Sequence, residues 1–407
     1  MLDMTHHSVN QPYQPCPTRY LFNKNRAWER LMATDSSLRE IEIEEVTKML
    51  ACGQPVMGEK RYKCENEACF HEKTICLSCS SRACARCGKK STDNWIMQQI
   101  ERLPDCEWSH KTFTMPCEFW GLFHANRWLL DKLCTLAVDN LLYAAEKRGL
   151  DIGIFCAIHT FGRQLTWHPH IHASVTLGGV NQYGDWKPLR FDHKKVEKRW
   201  RNQVCNYLLS VYDELKIPDA EVNCRNFDEF RRLVESQRNR FWHVHFAKKT
   251  SSPKKTLNYL GRYLKRPPIS GARLSHYRGD STISFRYLDH HTGKYETETV
   301  GQLELIRRLI QHIPEKGFRM IRYFGFLANR VVGSRLSKVR ESLGMRKEVK
   351  QVAPLRYGQM MKNFLKVDPF ECVICKSRMR LITFKVEIGR RKLVNDAFAQ
   401  RLDFRRA

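Results

Sequence analysis

Hydrophobic and polar positions along this chain follow two periods, and the switches between them outline its elements. Apolar residues at helical spacing among acidic ones predict a helix from about Ala27 to Ala51, ending near Gly53. A second amphipathic helix is expected from about Ala125 to Arg148, with Gly149 as its C-terminal stop. Alternating or continuous apolar runs predict strands at His110–Met115, halted by Pro116, at Ile152–Phe161, and at Trp167–Leu177, closed by Gly178 and Gly179. Residues 185–250 mix basic and aromatic groups in one or two helices, and a further helix is bracketed by Pro253 and by Pro267 and Pro268. Ser281–Tyr287 and Lys294–Val300 read as a hairpin around His290, His291, Thr292 and Gly293. The remainder is basic and mainly helical to about Lys350, followed by a short C-terminal module, while residues 1–25 are polar and proline-containing, as expected of a loose arm.

A chain of 407 residues has room for several domains. Lys and Arg number 70 against 43 Asp and Glu, a formal charge of +27 spread along the whole length, which implies a polyanionic partner, with nucleic acid the first candidate. The sequence offers no run of roughly 18 apolar residues to span a membrane and no signal pattern after Met1, so a cytoplasmic protein is expected. In that compartment the 16 cysteines point toward metal more than toward disulfides.

The strand from Trp167 carries His168, His170 and His172 at alternate positions, so these imidazoles share one face. A hairpin turn centred between Gln164 and Leu165 would set His159 opposite His170, with Cβ atoms about 5 Å apart. His159, His170 and His172 are then a three-imidazole site for a divalent cation, with positions left for water or a phosphate oxygen. His168 lies on the same face, and a register slip of two would exchange it for His159. The second such pair, His243 and His245, lacks a comparable partner nearby in the sequence.

About ninety residues downstream, Tyr259 and Tyr263 are four apart and share a face of the expected helix, roughly 110° around from the stripe formed by Leu257, Leu260 and Leu264. A phenol with an ordinary pKa near 10 is a weak nucleophile and a good leaving group, which suits reversible strand transfer. Lys254, Lys255, Arg262, Lys265 and Arg266 surround the pair, as a DNA strand would require. Helical aromatics more often simply pack; the upstream histidines tip the balance toward chemistry.

Cys64 and Cys69, followed by Cys84 and Cys87, have the form of a four-thiolate zinc site. His71, Cys76 and Cys79 lie between them and could replace members or hold a second ion. Cys372 and Cys375 supply half a site that needs a distant partner or stays unmetallated. Arg319, Arg322, Tyr323, Phe324 and Phe326 with Arg330 mix guanidinium and aromatic groups, as single-strand stacking surfaces do, though an amphipathic helix with a basic face gives the same letters.

Together the cysteine knuckles, His159-Thr-Phe-Gly162, His168-Pro-His-Ile-His172, Tyr259-Leu-Gly-Arg-Tyr263, Ile313-Pro-Glu-Lys316, Ile321-Arg-Tyr-Phe-Gly325 and Asn329-Arg330 resemble one family over about residues 25–385. It is the rolling-circle insertion-sequence transposases of the two-tyrosine HUH endonuclease class, which carry an N-terminal zinc-binding domain. The resemblance implies an α+β fold with a ferredoxin-like antiparallel core, His170 and His172 as metal ligands with His159 as the third, and Tyr259 and Tyr263 as nucleophiles. It further implies Mg²⁺ or Mn²⁺ at the histidines, structural Zn²⁺ at the cysteines, and single-stranded DNA ends as substrate. The expected domains are an arm at 1–25, a helical and zinc-binding unit at 26–105, the nuclease at 106–300, and a basic helical region at 301–407. Two features depart from the family pattern: the first knuckle is wider than CxxC, and no glycine follows Cys375. A replication initiator or relaxase uses the same chemistry, and a non-catalytic zinc-finger binder would use the cysteines without it.

Overall fold

The computed structural model describes residues 17–81, 83–251, 257, 268–274, 276–289, 292–346, 348–349, 353–354, 356–385 and 392–399. The described residues open with three α-helices, α1 (Pro17–Asn23), α2 (Ala27–Thr34) and α3 (Glu40–Leu50). Two expectations are corrected here. Residues 17–25 are no loose arm, because Leu21 and Phe22 are buried in the core. The expected single helix from Ala27 to Ala51 breaks at Asp35, whose carboxylate accepts from the backbone N–H of Ser37 at 3.0 Å and from its hydroxyl at 2.6 Å, a local turn that outcompetes the helix. The helix restarts where Glu42 accepts from the backbone of Arg39 at 3.0 Å.

Strands β1 (Glu59–Cys64) and β2 (Glu72–Cys76) and helix α4 (Ala85–Arg102) form the cysteine-rich segment. Then follow β3 (Trp108–Phe113), α5 (Trp120–Ala125), α6 (Leu129–Glu146), β4 (Gly153–Phe161), β5 (Trp167–Thr176), β6 (Gly178–Val180) and β7 (Trp186–Pro188). Gly149 takes φ +64° just beyond α6, the left-handed stop expected of it. Helices α7 (His193–Ser210) and α8 (Phe227–Arg238) precede β8 (Val244–Phe246) and the hairpin β9 (Thr282–Leu288) and β10 (Tyr295–Gly301), which pairs as expected. The chain continues through α9 (Gln302–Ile310), β11 (Ile321–Gly325), α10 (Val332–Ser342), α11 (Tyr357–Leu365) and β12 (Met379–Lys385).

The central sheet is antiparallel with strand order β11-β4-β5-β3-β8. Strand parity divides its residues between two faces. Ile154, Cys156 and Ile158 with Ile171, Ala173 and Val175 join a core built with α6 and α7, including Leu133, Ala137, Leu141, Trp200 and Val204. The opposite face carries Phe155 and Ala157, which pack with Trp95 of α4, Trp108, Leu336 of α10 and Leu257. A further core joins α1 to α3 with the β9–β10 hairpin and α9, through Leu21, Leu31, Ile43, Ile283, Phe285 and Leu305.

The C-terminal region is less helical than expected. The sequence of 319–326 fits a basic helix or a stacking surface, yet 321–325 form the edge strand β11. Their aromatics are spent on packing: Phe326 is fully buried, and Tyr323 accepts from Trp95 Nε1 at 2.8 Å. Strand β12 leaves the C-terminal region altogether to pair with β1 in the sheet β12-β1-β2.

Candidate metal centres

The β4–β5 hairpin decides the histidine site. Its register sets His159 opposite His170, as the turn position required, and a bulge follows between His159 and Phe161. Leu165 takes φ +63° in the turn. One ring nitrogen from each of His159, His170 and His172 lies within 4.8 Å of the others. His168 stays outside this group and packs its ring against Trp120 at 4.5 Å between centroids.

Hydrogen bonds fix which nitrogens face inward. His170 Nδ1 donates to the backbone carbonyl of His168 at 2.8 Å, so its Nε2 carries the lone pair. That Nε2 lies 3.0 Å from Nε2 of His172. His172 Nδ1 lies 2.9 Å from Nε2 of His110, and His110 Nδ1 lies 3.3 Å from Ser174 Oγ. Burial first, then neighbouring histidines, hold the pKa values of His170 and His172 well below the ordinary range, and burial pushes His110 down to about 3. Neutral rings offer lone pairs, so the donor set suits a divalent ion. The 3.0 Å spacing is also that of two nitrogens about 2.1 Å from one ion at a right angle.

In sequence, His243 and His245 have no comparable partner nearby. Strand β8 places His245 opposite Thr112, which itself pairs with His172, and so brings it onto the same face. Thr112 and His110 on β3 extend the polar row between them. A signal for His110 existed in the expected strand His110–Met115, but the pairing of β3 with β5 could not be read from spacing.

Tyr259 and Tyr263, with Lys254, Lys255, Arg262, Lys265 and Arg266, lie outside the described residues. Leu257, two positions before Tyr259, is fully buried among Trp108, Phe155 and Ala157, and Ala157 is the cross-strand partner of His172. Arg322 is corrected as a candidate for this surface. It pairs with Cys156 across the strands and so points to the α6 face, where it donates to the Asp131 backbone carbonyl at 2.8 Å and bridges the Asp131 carboxylate.

The expected grouping of Cys64, Cys69, Cys84 and Cys87 does not form. The chain divides these cysteines between two clusters: Cys52, Cys79, Cys84 and Cys87, and Cys64, Cys69, Cys372 and Cys375. The physical reason is that β1 and β2 separate the first pair from α4 and leave it beside the C-terminal strand. In the first cluster the sulfurs stand 3.8, 3.7 and 3.6 Å apart in the pairs Cys52–Cys87, Cys52–Cys84 and Cys79–Cys87. Sulfurs about 2.3 Å from a tetrahedral centre are about 3.8 Å apart, so the set fits zinc. Backbone N–H groups of Cys79 and Ser81 donate to Cys52 and Cys79 sulfurs at 3.4 and 3.3 Å, which favours thiolate. Cys52 was missed, although Gly53 directly after it, with φ +72°, is the knuckle signature that could have found it. Cys76 and His71 are outside this cluster. A cavity of about 420 Å³ is lined by Cys87 from this cluster, by the neighbouring Ser81, and by His159, Thr160 and Phe161 from the hairpin.

Comparison with known proteins bears on both centres. A family model described as "Transposase zinc-binding domain" matches residues 23–115, and one described as "Putative transposase" matches residues 153–335. The chain is 51% identical over 374 residues to the "Transposase for insertion sequence element IS801" of Pseudomonas savastanoi pv. phaseolicola, covering 91% of this chain and 90% of that protein. It is 31% identical over 334 residues to "Putative transposase y4qJ" of Sinorhizobium fredii, covering 79% and 83%. No solved structure matches the chain.

Proposed function

The chain belongs to the rolling-circle insertion-sequence transposases, and on that premise we propose that it nicks and rejoins single-stranded DNA through tyrosine at a divalent-metal centre. The observation that carries this reading is the convergence of His159, His170 and His172 on one sheet face. On that same face Leu257 is buried, two residues before Tyr259 in sequence, a span of at most about 7 Å of chain. Membership of a transposase family favours transposition over replication initiation or relaxation. A bare zinc-finger binder has no use for three neutral imidazoles aimed at a common point.

Held by these three histidines, a divalent ion would polarise a non-bridging oxygen of the scissile phosphate. An all-imidazole set suits Mn²⁺ better than the harder Mg²⁺, which prefers oxygen ligands. The phenol oxygen of Tyr259 or Tyr263 attacks phosphorus, the bond to the 3′ oxygen breaks, and that oxygen takes up a proton. A 5′-phosphotyrosine and a free 3′-OH result, and reversal rejoins the strand without ATP. The second tyrosine serves the target strand. Lys254, Lys255, Arg262, Lys265 and Arg266 would track the DNA backbone.

The antiparallel sheet with α6 and α7 on one face supports a ferredoxin-like HUH core in residues 106–300, extended to about 327 because β11 belongs to that sheet. Residues 26–105 are its zinc-binding unit, with Zn²⁺ held by Cys52, Cys79, Cys84 and Cys87. The test is a covalent adduct between the purified protein and a single-stranded oligonucleotide from the ends of its own element. Adduct is expected with Mn²⁺ and none from the Tyr259→Phe, Tyr263→Phe double variant. Adduct persisting in that variant would exclude both tyrosines as nucleophiles.

A further inference from the structure

The second cysteine cluster draws its members from the two ends of the chain. Cys64 ends β1, Cys69 sits in the loop before β2, and Cys372 and Cys375 precede β12. Cys64 and Cys375 sulfurs are 3.3 Å apart, and those of Cys69 and Cys372 are 3.8 Å apart, although the partners lie 311 and 303 positions apart in the chain. Cys64, Cys69 and Cys372 are buried. Among the described residues the apolar cluster at this corner is small: Met379 is buried with the cysteines, Tyr62 packs against them, and Phe370 lies against Tyr62.

The backbone around the downstream pair has the shape of a zinc knuckle. Cys372 N–H donates to the Ser377 carbonyl at 2.8 Å, and Lys376 N–H donates to the Cys372 carbonyl at 3.0 Å. Lys376 takes φ +62°, the left-handed conformation a glycine usually supplies there. Ser80, directly after Cys79 in the first cluster, does the same with φ +57°. A β-carbon is disfavoured in that region, and both positions bear this in the same place relative to a cysteine. His71 Nδ1 stands 3.2 Å from Cys372 Sγ, placed to donate to a thiolate from just outside the four sulfurs.

We propose that Cys64, Cys69, Cys372 and Cys375 bind a second zinc ion, so that one metal clasps the N-terminal zinc-binding unit to the C-terminal strand β12. Two of these ligands lie far beyond the residues 23–115 matched as a zinc-binding domain. Binding releases the thiol protons and leaves four thiolates around Zn²⁺, with no change of oxidation state. The β1–β12 pairing over Glu59–Cys64 and Met379–Lys385 is then held in register at its Cys64 end by the metal. The small apolar content of this corner makes metal its principal fastening.

The experiment measures zinc per chain in the full-length, reduced protein. Two equivalents are expected, falling to one in the Cys372→Ser, Cys375→Ser variant, and to one in a Cys79→Ser, Cys84→Ser variant. Because a variant could misfold, alkylation of the unmutated protein supplies a second measure. Cys372 and Cys375 should resist iodoacetamide when zinc is bound and react after chelation, as read by peptide mass. A wild-type content of one zinc that only the Cys79, Cys84 variant loses would overturn the proposal. So would alkylation of Cys372 and Cys375 at the rate of free thiols in zinc-loaded protein, or their recovery as disulfides with Cys64 and Cys69 under reducing conditions.

Discussion

His110 sets its Nε2 2.9 Å from Nδ1 of His172, although 62 residues separate them. Because His170 Nε2 lies at 3.0 Å from the other ring nitrogen of His172, His110 is placed to hold the His172 proton on the far side of the ring. This is a positioning role for a residue outside the three candidate ligands. His110→Ala should therefore weaken Mn²⁺ binding about 10- to 100-fold while leaving the circular dichroism spectrum unchanged, measured by titration calorimetry. Unchanged affinity would mean that the His172 ring is oriented by Thr112 and packing alone.

His170→Ala and His172→Ala should each remove high-affinity Mn²⁺ binding, whereas His168→Ala should retain it, since His168 packs on Trp120 outside the group. Electron paramagnetic resonance of bound Mn²⁺ distinguishes the two outcomes. Mn²⁺ should also support nicking at lower concentration than Mg²⁺, because imidazole is a poor ligand for the harder ion.

Lys111, on the strand that carries His110, is only 1% exposed. Its ammonium lies 3.1 Å from Ser109 Oγ and 3.4 Å from the ring centre of Phe246, and burial pushes its pKa down to about 7. A lysine ordinarily titrates near 10.5, so between about pH 7 and 10.5 the unfolded chain holds more protons than the folded one. Stability from this group thus rises with pH through that window, and the full penalty is present below it. Lys111→Met should raise thermal stability at pH 7 and flatten its pH dependence from 7 to 10, as followed by scanning fluorimetry. A variant less stable than wild type at pH 7 would show that the Phe246 contact outweighs the desolvation.

Gly325 ends β11 with φ +60°, and a β-carbon there would stand 1.7 Å from the Ile152 carbonyl oxygen. Two separate penalties, an unfavourable dihedral and a backbone clash, act on one substitution. Gly325→Ala should lower the melting temperature by several degrees or prevent soluble expression, whereas Gly333→Ala, with open space around its β-carbon, should do neither.

Removing zinc should act on the two ends of the chain together. Trypsin digestion after chelation is expected to release fragments from residues 59–76 and 369–385 in the same time course, since β1 pairs with both β2 and β12. Release of the C-terminal fragment alone would separate β12 from the cysteine clusters.

Local signals were enough for the parts of this protein governed by local physics. Alternation of apolar residues located β4 and β5 and put His168, His170 and His172 on one face, but a slip of two in the turn left His159 and His168 as alternatives, which the observed pairing of His159 with His170 resolves. The β9–β10 hairpin and the stop at Gly149 were legible from the same kind of local signal. Spacing could not say which strand lies beside β5, so His110 and His245 joined the histidine face only once β3 and β8 had packed there. Nor could it assign the cysteines: nearness in sequence suggested Cys64 and Cys69 with Cys84 and Cys87, while folding joined the first pair to Cys372 and Cys375 and the second to Cys52 and Cys79. Arg322 shows the same limit, since its face was set by the pairing of β11 with β4 and not by its basic neighbours. A pattern along the chain specifies what one segment prefers, whereas a ligand set assembled from segments 300 residues apart depends on which surfaces find each other, and that is decided by burial over the whole molecule.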